Sequence, residues 1–132
     1  MKIEKITQIM MMTDINMNLQ ENIRRILRED TLDRYYNYIV NHLVKSTKID
    51  AWHNFRTRRG DGTINYPFFE SSDFHINLYD ESYSPLMMLP SMFSDYCQHM
   101  YGLERKETRI VWERYREIML EKIEDILKRL SR

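Results

Sequence analysis

Apolar residues recur three and four positions apart through the first fifty residues, the spacing that lines up one face of a helix. Ile3, Ile6, Ile9 and Met10 form the first such stripe, and Thr13-Asp14 interrupts it with residues suited to cap a new helix. Ile15, Leu19, Ile23, Ile26 and Leu27 continue on that second helix. Glu29-Asp30-Thr31 predicts another boundary, with Asp33 at the positive end of the helix that follows. Leu32, Tyr35, Tyr36, Ile39, Val40, Leu43 and Val44 make the cleanest apolar face of this half, and Lys45 and Lys48 suit its negative end.

The period then changes from three-to-four to two. Trp52 to Arg58, Thr63 to Phe69 and Phe74 to Tyr79 are short runs rich in aromatic and β-branched residues. Ile64, Tyr66 and Phe68 alternate with Thr63, Asn65 and Pro67, and Phe74, Ile76 and Leu78 with Asp73, His75 and Asn77. Arg59-Gly60-Asp61-Gly62 reads as a hairpin loop whose glycines supply positive φ. Pro67 cannot donate to a ladder, so its strand is expected at an edge or at a bulge. Together these runs predict a three-stranded antiparallel meander.

Helical spacing returns after a connector punctuated by Pro85 and Pro90, in which Leu86-Met87-Met88-Leu89 needs cover. A short helix should start near Ser91 and face inward with Met92, Phe93, Tyr96, Cys97 and Met100. Gly102 followed by Leu103 is a helix stop. The last helix should run from about Glu104 to Leu130, with Ile110, Val111, Tyr115, Ile118, Met119, Ile123, Ile126, Leu127 and Leu130 as its stripe. Glu124–Lys128 and Asp125–Arg129 are spaced for ion pairs. Trp112, Met119, Ile123, Ile126 and Leu130 also fit a coiled-coil seam, but Arg116 breaks it, and packing within the chain is favoured. The expected fold is α+β and helix-dominated, with N-terminal and C-terminal helices around a small three-stranded antiparallel sheet. One domain is expected over 1–132: 1–50 helical, 51–79 the β meander, 80–102 connector and short helix, 103–132 the long C-terminal helix.

Composition narrows the function. The chain has three glycines and a single alanine, Ala51. So few glycines argue against the phosphate-cradling loops of nucleotide-binding enzymes. Fourteen isoleucines against three valines, with eight asparagines, point to an AT-rich genome such as that of a phage, virus or mobile element, although thirteen arginines against seven lysines argue against it. Cys97 is alone, so no internal disulfide forms and a reducing compartment is expected. Met1-Lys2-Ile3-Glu4-Lys5 is unlike a signal peptide, and no uncharged run approaches a membrane span. A cytoplasmic location, or a virion if viral, and no membrane partner are therefore expected.

The formal net charge is zero, but it is unevenly distributed. Residues 1–59 carry +4, residues 60–104 carry −7 with no Lys or Arg, and residues 105–132 carry +3. The cation-free stretch also holds nine of the sixteen aromatics and Met87, Met88, Met92 and Met100. These residues are either sheet core or an acidic, aromatic, Met-rich interface, since Met and aromatics are enriched at interface cores. Tyr79, Tyr83, Met87 and Met88 are the partner-binding candidates.

Candidate chemistry is sparse. Asp73-x-His75 on a strand would share a face, and Cys97-x-His99 on a helix would not, and two ligands fall short of a structural zinc site. Cys97 lies on an apolar stripe, where a thiol is unreactive. The loop acids Asp80-Glu81 lack partners for catalysis, and Arg59-Gly60-Asp61 spells an integrin tripeptide that arises by chance in turns. No catalytic, metal or cofactor residue is assigned, and no enzyme activity or cofactor is expected. Trp52, Arg56, Arg58 and Arg59 make the nucleic-acid-binding candidate: arginines for phosphates and an aromatic for stacking on a two-stranded ribbon. Arg24, Arg25 and Arg28 form a second cluster. The expected role is a non-enzymatic protein–protein interaction or structural subunit, such as a phage or viral assembly component or an inhibitor of a host factor. Its partner would be another protein or its own copies. The alternative is a small nucleic-acid-binding regulator.

Overall fold

The computed structural model describes residues 17–70, 73–79 and 85–131. The expected stripe at Ile3–Met10, the cap at Thr13-Asp14, the loop acids Asp80-Glu81 and Tyr83 lie outside the described residues. The chain divides into two compact units, Met1–Tyr35 and Tyr36–Arg132.

Helix α1 runs without a break over Met17–Ser46. The boundary predicted at Glu29-Asp30-Thr31 is not there. Asp30 lies one turn before Arg34 and its carboxylate pairs with that guanidinium at 3.2 Å, a spacing that supports a continuous helix. In the first unit the described side chains from Arg24 onward are exposed, Ile26 and Leu32 included. Lys45 sits in the last turn as expected, whereas Lys48 opens a strand.

The second unit is the α+β body. Strands β1 (Lys48–Asn54), β2 (Arg59–Asn65) and β3 (Phe74–Asn77) form an antiparallel sheet in the order β1-β2-β3. Helices α2 (Ser91–Tyr101) and α3 (Arg105–Leu130) follow. Among the described residues this is a helix-dominated α+β fold with a three-stranded meander.

The meander begins about four residues earlier than the aromatic runs indicated, and the reason is a misread pair of glycines. Gly60 and Gly62 are buried inside β2 and pair with His53 and Ala51. A Cβ at Gly60 would come within 2.7 Å of Leu127 Cα in α3, and one at Gly62 within 2.6 Å of the Asp50 carbonyl oxygen. They are glycine because backbone approaches closely, not because a turn needs positive φ. The turn is Phe55–Arg58, and its positive-φ residue is Arg58, at φ 57°. β2 is therefore the central strand, and Pro67 avoids the ladder by lying beyond its end.

The core is built on α3. Val111, Trp112, Tyr115, Met119, Ile123 and Leu127 are buried, and they meet Ile39, Val40 and Leu43 of α1 and Ile64 and Ile76 of the sheet. Phe68 stands among three rings of the two helices, 5.0 Å from Phe93, 5.9 Å from Tyr115 and 6.1 Å from Trp112. Such aromatic pairs contribute about 0.5–1.5 kcal/mol each beyond their burial. Ile110 and Ile118 flank the stripe and stay exposed, correcting the predicted face, while Thr108 and Trp112 take inward places. In α2 the inward residues are Phe93, Ser94 and Cys97, and Met92 and Met100 face outward. Small Ser94 is inside because its hydroxyl meets that of Thr108 at 3.1 Å, which lets the two helices approach closely. Gly102 ends α2 at φ 65°, its N–H donating to the Gln98 carbonyl, and buried Leu103 follows. Glu104 and Glu107 form a capping box that starts α3. At its other end Lys128 pairs with Glu124 at 3.1 Å, but Arg129 donates to the Asp125 backbone carbonyl rather than to its carboxylate.

Three tyrosines are held un-ionised by the fold. Burial pushes Tyr66 and Tyr115 well above the ordinary phenol range, and Thr47 accepts a 2.7 Å hydrogen bond from Tyr115 while donating to the Leu43 carbonyl. Burial and the Glu107 carboxylate, which accepts from the Tyr36 hydroxyl at 2.5 Å, raise Tyr36 to about 12. A raised phenol stabilises the fold below pH of about 10 and loses that contribution as pH climbs toward its folded value. In an alkaline titration the phenolate absorbance of the native protein should therefore stop short of all nine tyrosines until a cooperative loss of structure releases these three. Full ionisation of nine with circular dichroism unchanged would contradict this packing. Gly60→Ala should destabilise by about 1–3 kcal/mol in urea unfolding, because the Leu127 backbone cannot yield. An unchanged midpoint would show that the close approach is relaxed in solution.

Candidate functional site: the open face of the sheet

Alternation along the strands assigns one sheet face to α3 and leaves the other to solvent. Gly60, Gly62, Ile64 and Ile76 point toward the core. The opposite face carries Lys48, Asp50, Trp52 and Asn54 from β1, Arg59, Asp61, Thr63 and Asn65 from β2, and His75 and Asn77 from β3.

Asp61 organises the centre of this face. Its side chain is 14% exposed. One carboxylate oxygen accepts from Asn54 Nδ2 at 3.0 Å, and the other accepts from the Gly62 N–H at 2.9 Å and faces His75 Nε2 at 2.5 Å. Asn77 Nδ2 lies 3.4 Å from His75 Nδ1, on the side of the ring away from the carboxylate. Both imidazole nitrogens are thus engaged, and His75 acts as a cross-strand tie. It turns to Asp61 of the neighbouring strand, not to Asp73 two residues before it. Cys97 is fully buried, its thiol pushed up to about 12 by burial, and His99 on the same helix is exposed. Among the described residues no group of three or more His, Cys, Asp or Glu is placed to share a metal ion.

Asn54 shapes the hairpin tip as well. Its Oδ1 accepts from the amides of Arg56 and Thr57 at 3.0 and 3.3 Å, a side-chain turn that replaces the glycine loop expected from sequence. Arg56 and Arg58 consequently project from an ordered turn. Phe55 is 86% exposed and packs edge-on against His53 at 4.8 Å. The hairpin base is bound to the end of α3, with His53 Nδ1 2.5 Å from the Leu130 carbonyl and the Gly60 amide donating to Ser131 Oγ at 2.8 Å.

The sequence-predicted candidates are brought together only in part. Trp52 stands opposite Asp61 and is 42% exposed. Arg59 lies over the Tyr79 ring, 4.1 Å from its centroid, which joins a residue predicted for nucleic acid to one predicted for a protein partner. Met87 and Met88 are elsewhere: both are exposed beside fully buried Leu86, with Met87 Sδ 4.0 Å from an Arg116 nitrogen on α3. Leu89 of the same run is half-buried. Of the nine aromatics in the cation-free stretch, Tyr66, Phe68 and Phe93 are core, and Phe69, Phe74, Tyr96 and Tyr101 pack against it. Sequence reading missed Asn54, Asp61 and His75 as one network. The signal was an Asn at the end of a strand followed by a turn, with polar residues alternating along all three strands.

Comparison with protein-family models, with curated proteins and with solved structures finds no match for this chain.

Loss of the Asn54 side chain should leave two turn amides without their acceptor. Asn54→Ala is expected to cost about 0.5–1.5 kcal/mol and to speed hydrogen exchange at Arg56 and Thr57. Protection unchanged at both amides would contradict the turn geometry.

Proposed function

We propose that the chain is a non-enzymatic interaction or structural subunit that engages a protein partner, or further copies of itself, through the open sheet face and hairpin tip. The observation that carries this reading is the joint exposure of Trp52, Phe55 and Tyr79, with Arg56, Arg58 and Arg59, around the Asp61 network. Trp, Tyr and Arg are the residue types that most often dominate binding energy. Here they are set on strands and an ordered turn, so little freedom is lost when they are covered. Their charge suits a surface bearing carboxylates, and the cation-free middle of a second copy is one such surface. The isoleucine-rich, alanine-poor composition suggests a phage or viral setting, as an assembly component or an inhibitor of a host factor, in the cytoplasm or a virion.

A second reading has its own support. The base of the hairpin that carries Arg56, Arg58 and Arg59 is bonded to the end of α3, whose last turn carries Lys128 and Arg129, and cations on such a ribbon suit nucleic-acid backbone.

One set of variants separates the two. Trp52→Ala and Tyr79→Ala should each weaken association with a protein partner or another copy by roughly 30-fold, read by light scattering against concentration or by titration of a captured partner after nuclease treatment. Arg56→Ala with Arg58→Ala should act on both readings, but only nucleic-acid binding should also lose part of a steep salt dependence. A chain that stays monomeric, whose captured proteins are indifferent to Trp52 and Tyr79, would remove the first reading. No retention of DNA or RNA at low salt would remove the second.

A further inference from the structure

A groove of about 470 Å³ opens where α2 and α3 begin, remote from the hairpin end of α3. It is lined by Leu89, Ser91, Ser94, Arg105, Lys106 and Arg109. Arg105 and Arg109 are one turn apart and share a face of α3, and Ser91 and Ser94 share a face of α2. Lys106 and Arg109 also line an adjoining hollow of about 340 Å³, with Glu113 and Arg114 in its lining as well.

Two observations set this groove apart from an ordinary solvated surface. First, its cations oppose the helix they stand on. The start of a helix is its positive end, where acidic residues stabilise and basic ones do not. Yet α3 places Arg105, Lys106 and Arg109 within its first five residues. Second, the two carboxylates that flank Arg105 and Lys106 in sequence are committed elsewhere. Glu104 and Glu107 close the capping box, and Glu107 also accepts from the Tyr36 hydroxyl. Glu104 reaches Lys106 at 3.5 Å. Among the described residues no ion pair or hydrogen bond engages the guanidinium of Arg105 or of Arg109. The Ser91 hydroxyl is likewise free to donate. The Ser94 hydroxyl is held at the floor: Thr108 donates to the Arg105 carbonyl at 2.7 Å, so Ser94 donates to Thr108.

We propose that this groove binds an oxyanion of the phosphate class, as a free ion or as the phosphate group of a small molecule. Arg105 and Arg109 would supply forked N–H donors, Lys106 a third positive charge and Ser91 a neutral donor. The first turn of α2, whose N-cap Pro90 gives no side-chain hydrogen bond, adds the positive end of a second helix. An anion there would neutralise Arg105 and Arg109, whose guanidiniums have no ion pair among the described residues.

Inorganic phosphate is the probe, titrated against chloride at matched ionic strength and followed by amide NMR. Saturable shifts should be confined to Ser91–Ser94 and Arg105–Arg109, and Arg105→Ala with Arg109→Ala should weaken the response at least tenfold. Removing cations from the positive end of α3 should leave the melting temperature unchanged or raised, so loss of binding would not report unfolding. Arg109→Gln, which keeps the side-chain length, should weaken binding in the same direction. Arg56→Ala with Arg58→Ala at the hairpin should leave it intact. The proposal is overturned if wild-type shifts do not saturate, or if the double variant responds like wild type. A glycerol phosphate that binds more tightly than inorganic phosphate would identify the phosphate group of a small molecule as the ligand, and equal or weaker binding the free ion. Shifts spread over the hairpin instead would overturn the assignment of the site.

Discussion

The contact on which the second unit depends is the seating of the end of α3 directly on the backbone of β2. At Gly60 no side chain separates helix from strand, and the Leu127 main chain occupies the space a Cβ would need. Hydrogen bonds from His53 to the Leu130 carbonyl and from Gly60 to Ser131 close the same junction. Once the helix lies this near, the residues on its side of the sheet are small or apolar apart from His53, which bonds to the helix itself, and the other polar residues of the three strands lie on the opposite face. The hairpin inherits its position from this contact, because its base belongs to the strand pair that the helix holds. The open face is thus a consequence of close packing on the covered one.

Packing around Phe68 explains where the aromatic surplus goes. The loop after β2 sends Phe68 among rings from both α2 and α3, and Tyr66 and Phe74 extend the cluster to the sheet. This consumes most of the large side chains in the cation-free stretch. The exposed remainder is divided: Tyr79 completes the open sheet face beneath Arg59, while Met87 and Met88 belong to the connector beside α3. The exposed aromatics of the stretch therefore lie on a smaller surface than the whole stretch would give, and Tyr79 shares it with Arg59 and Trp52.

Electrostatically the zero net charge conceals two separate basic surfaces. The base of the arginine-bearing hairpin is bonded to the end of α3 that carries Lys128 and Arg129. Arg105, Lys106 and Arg109 stand at the other, roughly 35 Å away along a straight helix at 1.5 Å per residue. At that separation, several Debye lengths at physiological salt, the two surfaces act independently. Asp61, in the acidic stretch, is spent inside the sheet network rather than offered to solvent.

Local physical chemistry was enough to determine much of this protein from sequence. Three-to-four periodicity marks α3 and the second half of α1, Gly102-Leu103 marks the end of α2, and period-two runs mark a three-stranded meander, because each signal depends on neighbours a few residues apart. The helix break at Glu29-Asp30-Thr31 failed because capping residues are tolerated within a helix when a pair such as Asp30–Arg34 supports it. The hairpin register failed for a different reason. Glycine serves both positive φ and close approach, and only the position of Leu127, far along the chain, decides between them. The same holds for function. Trp52, Arg56, Arg58, Arg59 and Tyr79 were legible as candidates, but the meeting of Arg59 with Tyr79 on the face that carries Trp52, and the grouping of Arg105 and Arg109 with Ser91 and Ser94, arise from contacts between distant segments. Composition records which charges and rings a chain owns; the tertiary fold alone decides which of them remain unpaired and in view of solvent.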